Sequence, residues 1–234
     1  MGTSKANSGG SGGAWTGFKR NASLFARHGG HDRAAKALAG YVAAAGGVGG
    51  ALAAAAEGVR AGQSLGAFLV ASSGPAGLAD GLRAVGLERL VGSDRFTVLS
   101  ELVNEFAGAG SDLEAQAARN ALLDVLDEIL PEDDAERLED VRLDAARVTD
   151  ALCRYLSALI YNLAIPVIDE RLSQLEDPVL ARQRDKELRE YIDALVRLRI
   201  QDNDSLELDW RGSAGREFVQ SILQAVFDQL EHIS

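Results

Sequence analysis

Few side chains in this sequence are of the kind that carry a reaction, and none stands in a pattern that completes one. His28 and His31 are near neighbours, His232 lies close to the other end, and Cys153 is the single cysteine. A zinc site needs four nitrogen or sulfur ligands at characteristic spacings. No cysteine pair or second histidine pair supplies the rest, so these histidines read as surface or capping residues. Cys153 sits among Leu152, Tyr155 and Leu156 with no histidine base nearby, the surroundings of a buried helical thiol rather than a nucleophile. Arg182, Arg184 and Arg189 could grip a phosphate, but the interleaved Asp185 and Glu187 make a salt-bridged surface. Glu132, Asp133, Asp134, Glu136, Glu139 and Asp140 form an acidic run that lacks the spacing and central glycine of a calcium loop and suits a helix N-terminus. The glycines at 46–50, 58, 62 and 66 fit neither GxxxxGK[ST] nor GxGxxG after a strand. No Ser-His-Asp elbow, HExxH or CxxC is present. These residues point away from an enzyme and from any metal or cofactor.

The elements that hold them are helices. The 234 residues are 47% hydrophobic, with alanine and leucine far outnumbering β-branched and aromatic residues, a balance that favours helix over strand. We expect an all-α, multi-helix globular bundle, with residues 1–14 as a disordered Gly/Ser-rich tail and 15–234 as one helical domain, with 108–112 as the point where it could subdivide. The opening MGTSKANSGGSGG has too little apolar surface to offset the entropy of ordering. Trp15, Phe18, Leu24 and Phe25 are the first anchors, around a short helical turn capped by Asn21 or Ser23. Asp32 is placed to cap the first long helix, which Gly46–Gly47 ends. A second helix closes at Gly62, and Ser64 caps a third. Pro75 opens a helix over 77–92, Ser93–Asp94 caps the next, and Ser111 with Glu114 has the form of a capping box before a strongly amphipathic run. The most apolar helix runs from about Asp144 to Asn162, and Pro166 is expected to kink or interrupt it. Asp177–Pro178 ends that piece. Another helix follows to Ile200, then a polar connection around Trp210 with LELDW as a short extended piece, and Ser213 caps the last helix.

Charge is unevenly placed. The chain carries −11 overall, yet residues 1–40 carry +5 and the remainder −16. An acidic body argues against broad nucleic-acid binding; the basic front is expected to dock on the protein's own acidic body or to meet an acidic partner. No apolar run reads as long enough to span a bilayer, and no apolar stretch follows Lys5 as in a signal peptide. Gly2 hints at N-myristoylation, but Ala6 stands where that motif takes Ser or Thr. A cytoplasmic protein without membrane contact is expected. The Ala/Gly-rich stretch as a membrane hairpin or membrane-active effector is opposed by Arg33, Lys36, Glu57 and Arg60.

The opening MGTS, its Gly/Ser continuation, and FKRNASLFARHGG followed by KALAGYVAAAGG (Phe25, Arg27, Gly29, Gly30, Ala37, Leu38, Gly40, Tyr41 and Val42 within it) together resemble the QatB family, a component of the Qat anti-phage defence operon of bacteria. The resemblance is closest over about the first fifty residues. It implies a non-catalytic role, without a cofactor, beside an ATPase, a QueC-like enzyme and a TatD-like nuclease. QueC-type enzymes activate a carboxy-deazaguanine with ATP and pass it to an amine. The resemblance further implies that this chain is the protein substrate, with Gly2 the modified residue once Met1 is removed. Thr3, Ser4, Phe25, Arg27, Gly29, Gly30 and Tyr41 are then candidate residues for recognition by the partner. The other reading is a helical scaffold or adaptor that links the ATPase and the nuclease and has an unmodified tail.

Overall fold

A computed structural model describes residues 12–131, 137–138, 140–200 and 208–233. Among them are ten α-helices: α1 (Gly12–His28), α2 (His31–Ala45), α3 (Gly47–Ala54), α4 (Ala56–Ala71), α5 (Gly77–Ala84), α6 (Arg95–Ala107), α7 (Leu113–Ile129), α8 (Ala145–Leu172), α9 (Pro178–Ile200) and α10 (Ser213–Glu231). A single 3-10 turn, Glu88–Leu90, follows α5. No strand occurs among the described residues, as the composition leads one to expect.

Cross-helix contacts fix the arrangement. Tyr161 and Arg197 of α8 and α9 bond Asp185 of α9 and Asp150 of α8, so the two helices run antiparallel. On the other side of α8, Asn162 reaches the Ala117 carbonyl while Arg154 pairs with Glu128, which makes α7 antiparallel as well. The glycine face of α4 crosses α8. The Tyr155 hydroxyl donates to the Gly58 carbonyl at 2.7 Å, and a Cβ on Gly62 would lie 2.8 Å from the Tyr155 ring. One continuous cluster of buried apolar side chains extends from Phe18 to Leu230. Cys153 belongs to it, on α8, as expected.

The starts of four helices follow one chemistry. Asp94, Asp112 and Asp144 each accept from the backbone N–H three residues on, at 3.0, 2.8 and 2.8 Å. Asp177 accepts from Val179 N–H at 2.8 Å and places Pro178 at the first position of α9. These caps satisfy amides that a helix leaves open. At α7 the cap is Asp112, so Ser111 and Glu114 form no capping box.

Several boundaries differ from the sequence reading. The first anchors sit on a full helix, α1, and Ser23 Oγ bonds back to the Lys19 carbonyl at 2.8 Å instead of capping a turn. Gly30 stands at the α2 N-cap, so Asp32 lies inside the first turn. Gly46 does close α2, at φ 101°. Helix α4 runs through both Gly62 and Ser64, because tertiary contact on Gly62 overrides its helix-breaking tendency. The expected 77–92 helix is α5 plus the 3-10 turn, and Pro75 precedes its cap, Ala76. Pro166 leaves α8 continuous. Its ring is exposed while Ala164, Ile168 and Leu172 are buried, so water can serve the carbonyl it frees and the apolar face stays packed. Trp210 is no loop residue in solvent: it is 3% exposed, edge-on to Phe218 at 5.5 Å. Of the LELDW stretch, Leu206 and Glu207 lie outside the described residues, and Leu208–Trp210 forms a bend and turn. Ser213 is the first helical residue of α10, and Gly212 is its cap.

The sequence reading found no membrane-length run, yet α8 meets the length and composition of one. More than half of its most apolar window is buried against the other helices, which accounts for its composition. Helices α2 and α3 meet that test only as a pair, and they are bent by 86° at Gly46.

Candidate functional site

Gly2, Thr3 and Ser4 lie outside the described residues, as do Glu132, Asp133, Asp134, Glu136 and Glu139 of the acidic run. The remaining candidates fall on the front hairpin, α1 and α2, joined by Gly29 and Gly30. The hairpin is tight: a Cβ on Gly40 would meet the Phe18 Cα at 2.9 Å, and Asn21 Nδ2 donates to the Lys36 carbonyl at 3.1 Å.

The corner itself is built from backbone. Gly29 and Gly30 have φ of 61° and 90°, a region that disfavours side chains. Gly29 N–H donates to the Phe25 carbonyl at 2.7 Å and closes α1. The Arg184 guanidinium packs where a Gly29 Cβ would be. Gly30 N–H donates to Glu187 Oε2 at 3.1 Å. Arg184 pairs with Glu187 at 2.6 Å, both side chains mostly buried. Burial raises the Glu187 carboxyl, but the Gly30 amide, Arg184 and Gln183 together hold it below its ordinary value. Arg33 donates to the Gly29 carbonyl at 3.1 Å. The corner is therefore locked onto α9.

Phe25 is fully buried, and Tyr41 is buried against Phe18 and Phe227, with ring centroids at 6.2 and 6.5 Å. Burial also raises the Tyr41 hydroxyl. Neither side chain can touch a partner in this state; both hold the hairpin to the body. Arg27 is exposed at the end of α1 and lines a 130 Å³ cleft with Ser23, Arg171 and Gln174. The structure thus brings Phe25, Gly29 and Gly30 together at one corner and puts Tyr41 elsewhere on α2. Arg184 and Glu187, which receive that corner, carry no sequence signal beyond an ion-pair spacing in a highly charged helix.

The other sequence candidates resolve into structural roles. His31 packs on Tyr191 with centroids 5.7 Å apart, and His232 Nδ1 lies 2.7 Å from the Asp228 carbonyl. Arg189 bonds Asp185 at 3.0 Å and lies 3.7 Å over the Tyr161 ring. Arg197 bridges Asp150 and Asp193 at 2.7 and 2.6 Å. Tyr161, Arg189, Asp193 and Arg197 line a 410 Å³ cleft between α7, α8 and α9, and their polar groups are taken up in these pairs. Among the described residues no group of three or more His, Cys, Asp or Glu is placed to hold a metal.

The family model described as Qat anti-phage system associated protein QatB matches residues 46–230. No curated protein and no solved structure matches. The matched stretch takes in α3 to α10 and leaves out Phe25, Arg27, Gly29, Gly30 and Tyr41, on which the sequence resemblance rests.

Proposed function

The chain belongs to the QatB family of Qat anti-phage system associated proteins, and from that membership we propose that it serves Qat defence as a protein substrate, modified at Gly2. It is a component of an anti-phage system; the finer role rests on the tail. Removal of Met1 exposes the Gly2 amine, whose pKa near ~8 leaves a useful neutral fraction at neutral pH. That amine attacks the activated carboxyl of a carboxy-deazaguanine held by a QueC-like partner. An amide bond forms, the activating group leaves, and the amine proton passes to a base or to water.

What supports this reading is the Gly/Ser-rich, apolar-poor sequence that runs up to Gly12. Gly2 stands ten residues ahead of it, a reach of at most about 36 Å, so the amine can enter another enzyme's pocket while the helices stay outside. Cys153, the body's single thiol, is buried and pushed up to about 11, which suits a carrier better than a catalyst. Cytoplasmic placement beside the operon's ATPase and TatD-like nuclease, without nucleic-acid or membrane contact, belongs to the same reading.

Intact and N-terminal-peptide mass spectrometry of the chain, expressed alone and with its operon neighbours, tests it. We expect a deazaguanine-sized mass on Gly2 that depends on the QueC-like enzyme; a bare Gly2 in both samples rejects the reading. A second reading is favoured by the family match to residues 46–230 rather than to the tail. In it the body is a scaffold between ATPase and nuclease, and defence survives removal of residues 1–11.

A further inference from the structure

We propose that the groove between α1 and α2 docks an acidic amphipathic helix of the enzyme that acts on the tail; this rests on the substrate reading above. Its α1 wall is Ala14, Gly17, Asn21 and Leu24, one face of that helix. Its α2 wall is Lys36, Ala39, Gly40 and Ala43, again one face. Ile233 closes one side, Arg20 joins Lys36 on the rim, and the volume is about 550 Å³. The small floor lets a third backbone approach closely, and a trough between two antiparallel helices accepts the ridge of another helix. Leu24, 43% exposed, offers an apolar contact at one end.

Charge names the occupant. Lys19, Arg20, Arg27 and Lys36 are exposed, and among the described residues none has a carboxylate within 4 Å. Elsewhere Arg60, Arg83, Arg89, Arg154 and Arg197 are ion-paired while Arg142, Arg147, Arg182 and Arg216 are exposed without such a pair; what sets the front apart is its excess of six cations over one acid in residues 1–40. The hairpin thus docks on its own body through Phe18, Phe25 and the Gly30 corner, and these four charges take no part in that docking. Arg20 and Lys36 thus give the groove an unneutralised basic rim on a protein of net charge −11. An acidic protein segment is attracted to the rim and fills the apolar floor. Nucleic acid would use the rim alone and be repelled by the rest of the chain. Position agrees: the groove begins at Ala14, twelve residues from Gly2 in the sequence. An enzyme that takes Gly2 into its pocket must cover surface within about 36 Å of Gly12.

The test mixes the purified full chain with the purified QueC-like enzyme of the same operon. Affinity is titrated at low and high salt, amide exchange is mapped, and Gly2 is read by mass spectrometry. Two variants are compared, Arg20→Glu with Lys36→Glu, and Ala43→Trp. All three side chains are exposed, so unfolding midpoints should match the parent. Ala43→Trp fills the floor without changing charge. We expect exchange protection over 14–24 and 36–43, binding that weakens with salt, and at least about tenfold loss in each variant. Unchanged binding in both variants, with Gly2 modified, overturns the groove and leaves the substrate reading standing. No binding and no modification overturns both. Two other results also overturn it: a dimer of this chain, or a complex with duplex DNA, that forms on this surface and is lost in the same variants.

Discussion

The Gly30 amide and the Glu187 carboxylate, 157 residues apart in sequence, meet at 3.1 Å and tie the front hairpin to α9. Burial opposes the charge on Glu187, and the Gly30 amide, Arg184 and Gln183 more than offset it, so the folded carboxyl titrates below its ordinary value. A lowered folded pKa gives stability that is present above the unfolded value, near ~4.3 for Glu, and lost as pH falls through the folded value. Glu187→Ala should cost about 1–3 kcal/mol in urea unfolding at neutral pH and flatten the acid limb of the stability profile. It should also abolish exchange protection at Gly30 N–H. A variant as stable as the parent, with Gly30 still protected, would remove the lock from the account.

Two glycines in helices should respond oppositely to alanine. A Cβ on Gly66 would overlap the Trp210 ring, while Gly49 has open space around it. Gly66→Ala should destabilise by about 1–3 kcal/mol through overpacking. Gly49→Ala should stabilise by up to about 1 kcal/mol by reducing the freedom of the unfolded chain. Denaturant midpoints decide it, and the same sign at both positions would contradict the packing.

The all-helical class was legible because the apolar residues recur at helical spacing and strand formers are scarce. The aspartate cap at 94 follows from local chemistry, and Cys153 from its apolar neighbours. What failed was set by distant residues. Gly62 reads as a stop until Tyr155 fills the space beside it. Trp210 reads as a loop residue until Gly66 and Phe218 receive it. Pro166 reads as a break, but its ring faces outward. At the candidate site, FARHGG marks the corner, yet nothing in one sequence couples it to Arg184 and Glu187. Phe25 and Tyr41 stand out by type, and their burial separates packing from recognition.

Tyr155 carries the crossing of α8 over α4 with its fully buried hydroxyl, which donates to the Gly58 carbonyl at 2.7 Å. Tyr155→Phe keeps the ring and removes one net hydrogen bond, an expected loss of about 0.5–1.5 kcal/mol. Tyr155→Ala removes the ring as well and should cost about 3–5 kcal/mol. Equal effects in thermal or urea unfolding would mean the ring contributes nothing beyond its hydroxyl.

Cys153 is 2% exposed, and its thiol is pushed up to about 11. Burial is the main cause; Arg197 pulls the value back, and Asp193 and Asp150 oppose Arg197. Thiolate is the reactive form, so at neutral pH both access and ionisation protect the side chain. A disulfide reagent should label the native protein at least ~100-fold more slowly than the urea-unfolded chain. At pH about 9 most of the unfolded chain's thiol, with an ordinary pKa near ~8.5, is thiolate, while the native thiol is still almost wholly protonated, so the native protein should remain much the slower of the two. Rapid native labelling at neutral pH would instead mean an accessible thiolate, and would reopen a nucleophilic role for Cys153 that its place in the core of α8 argues against.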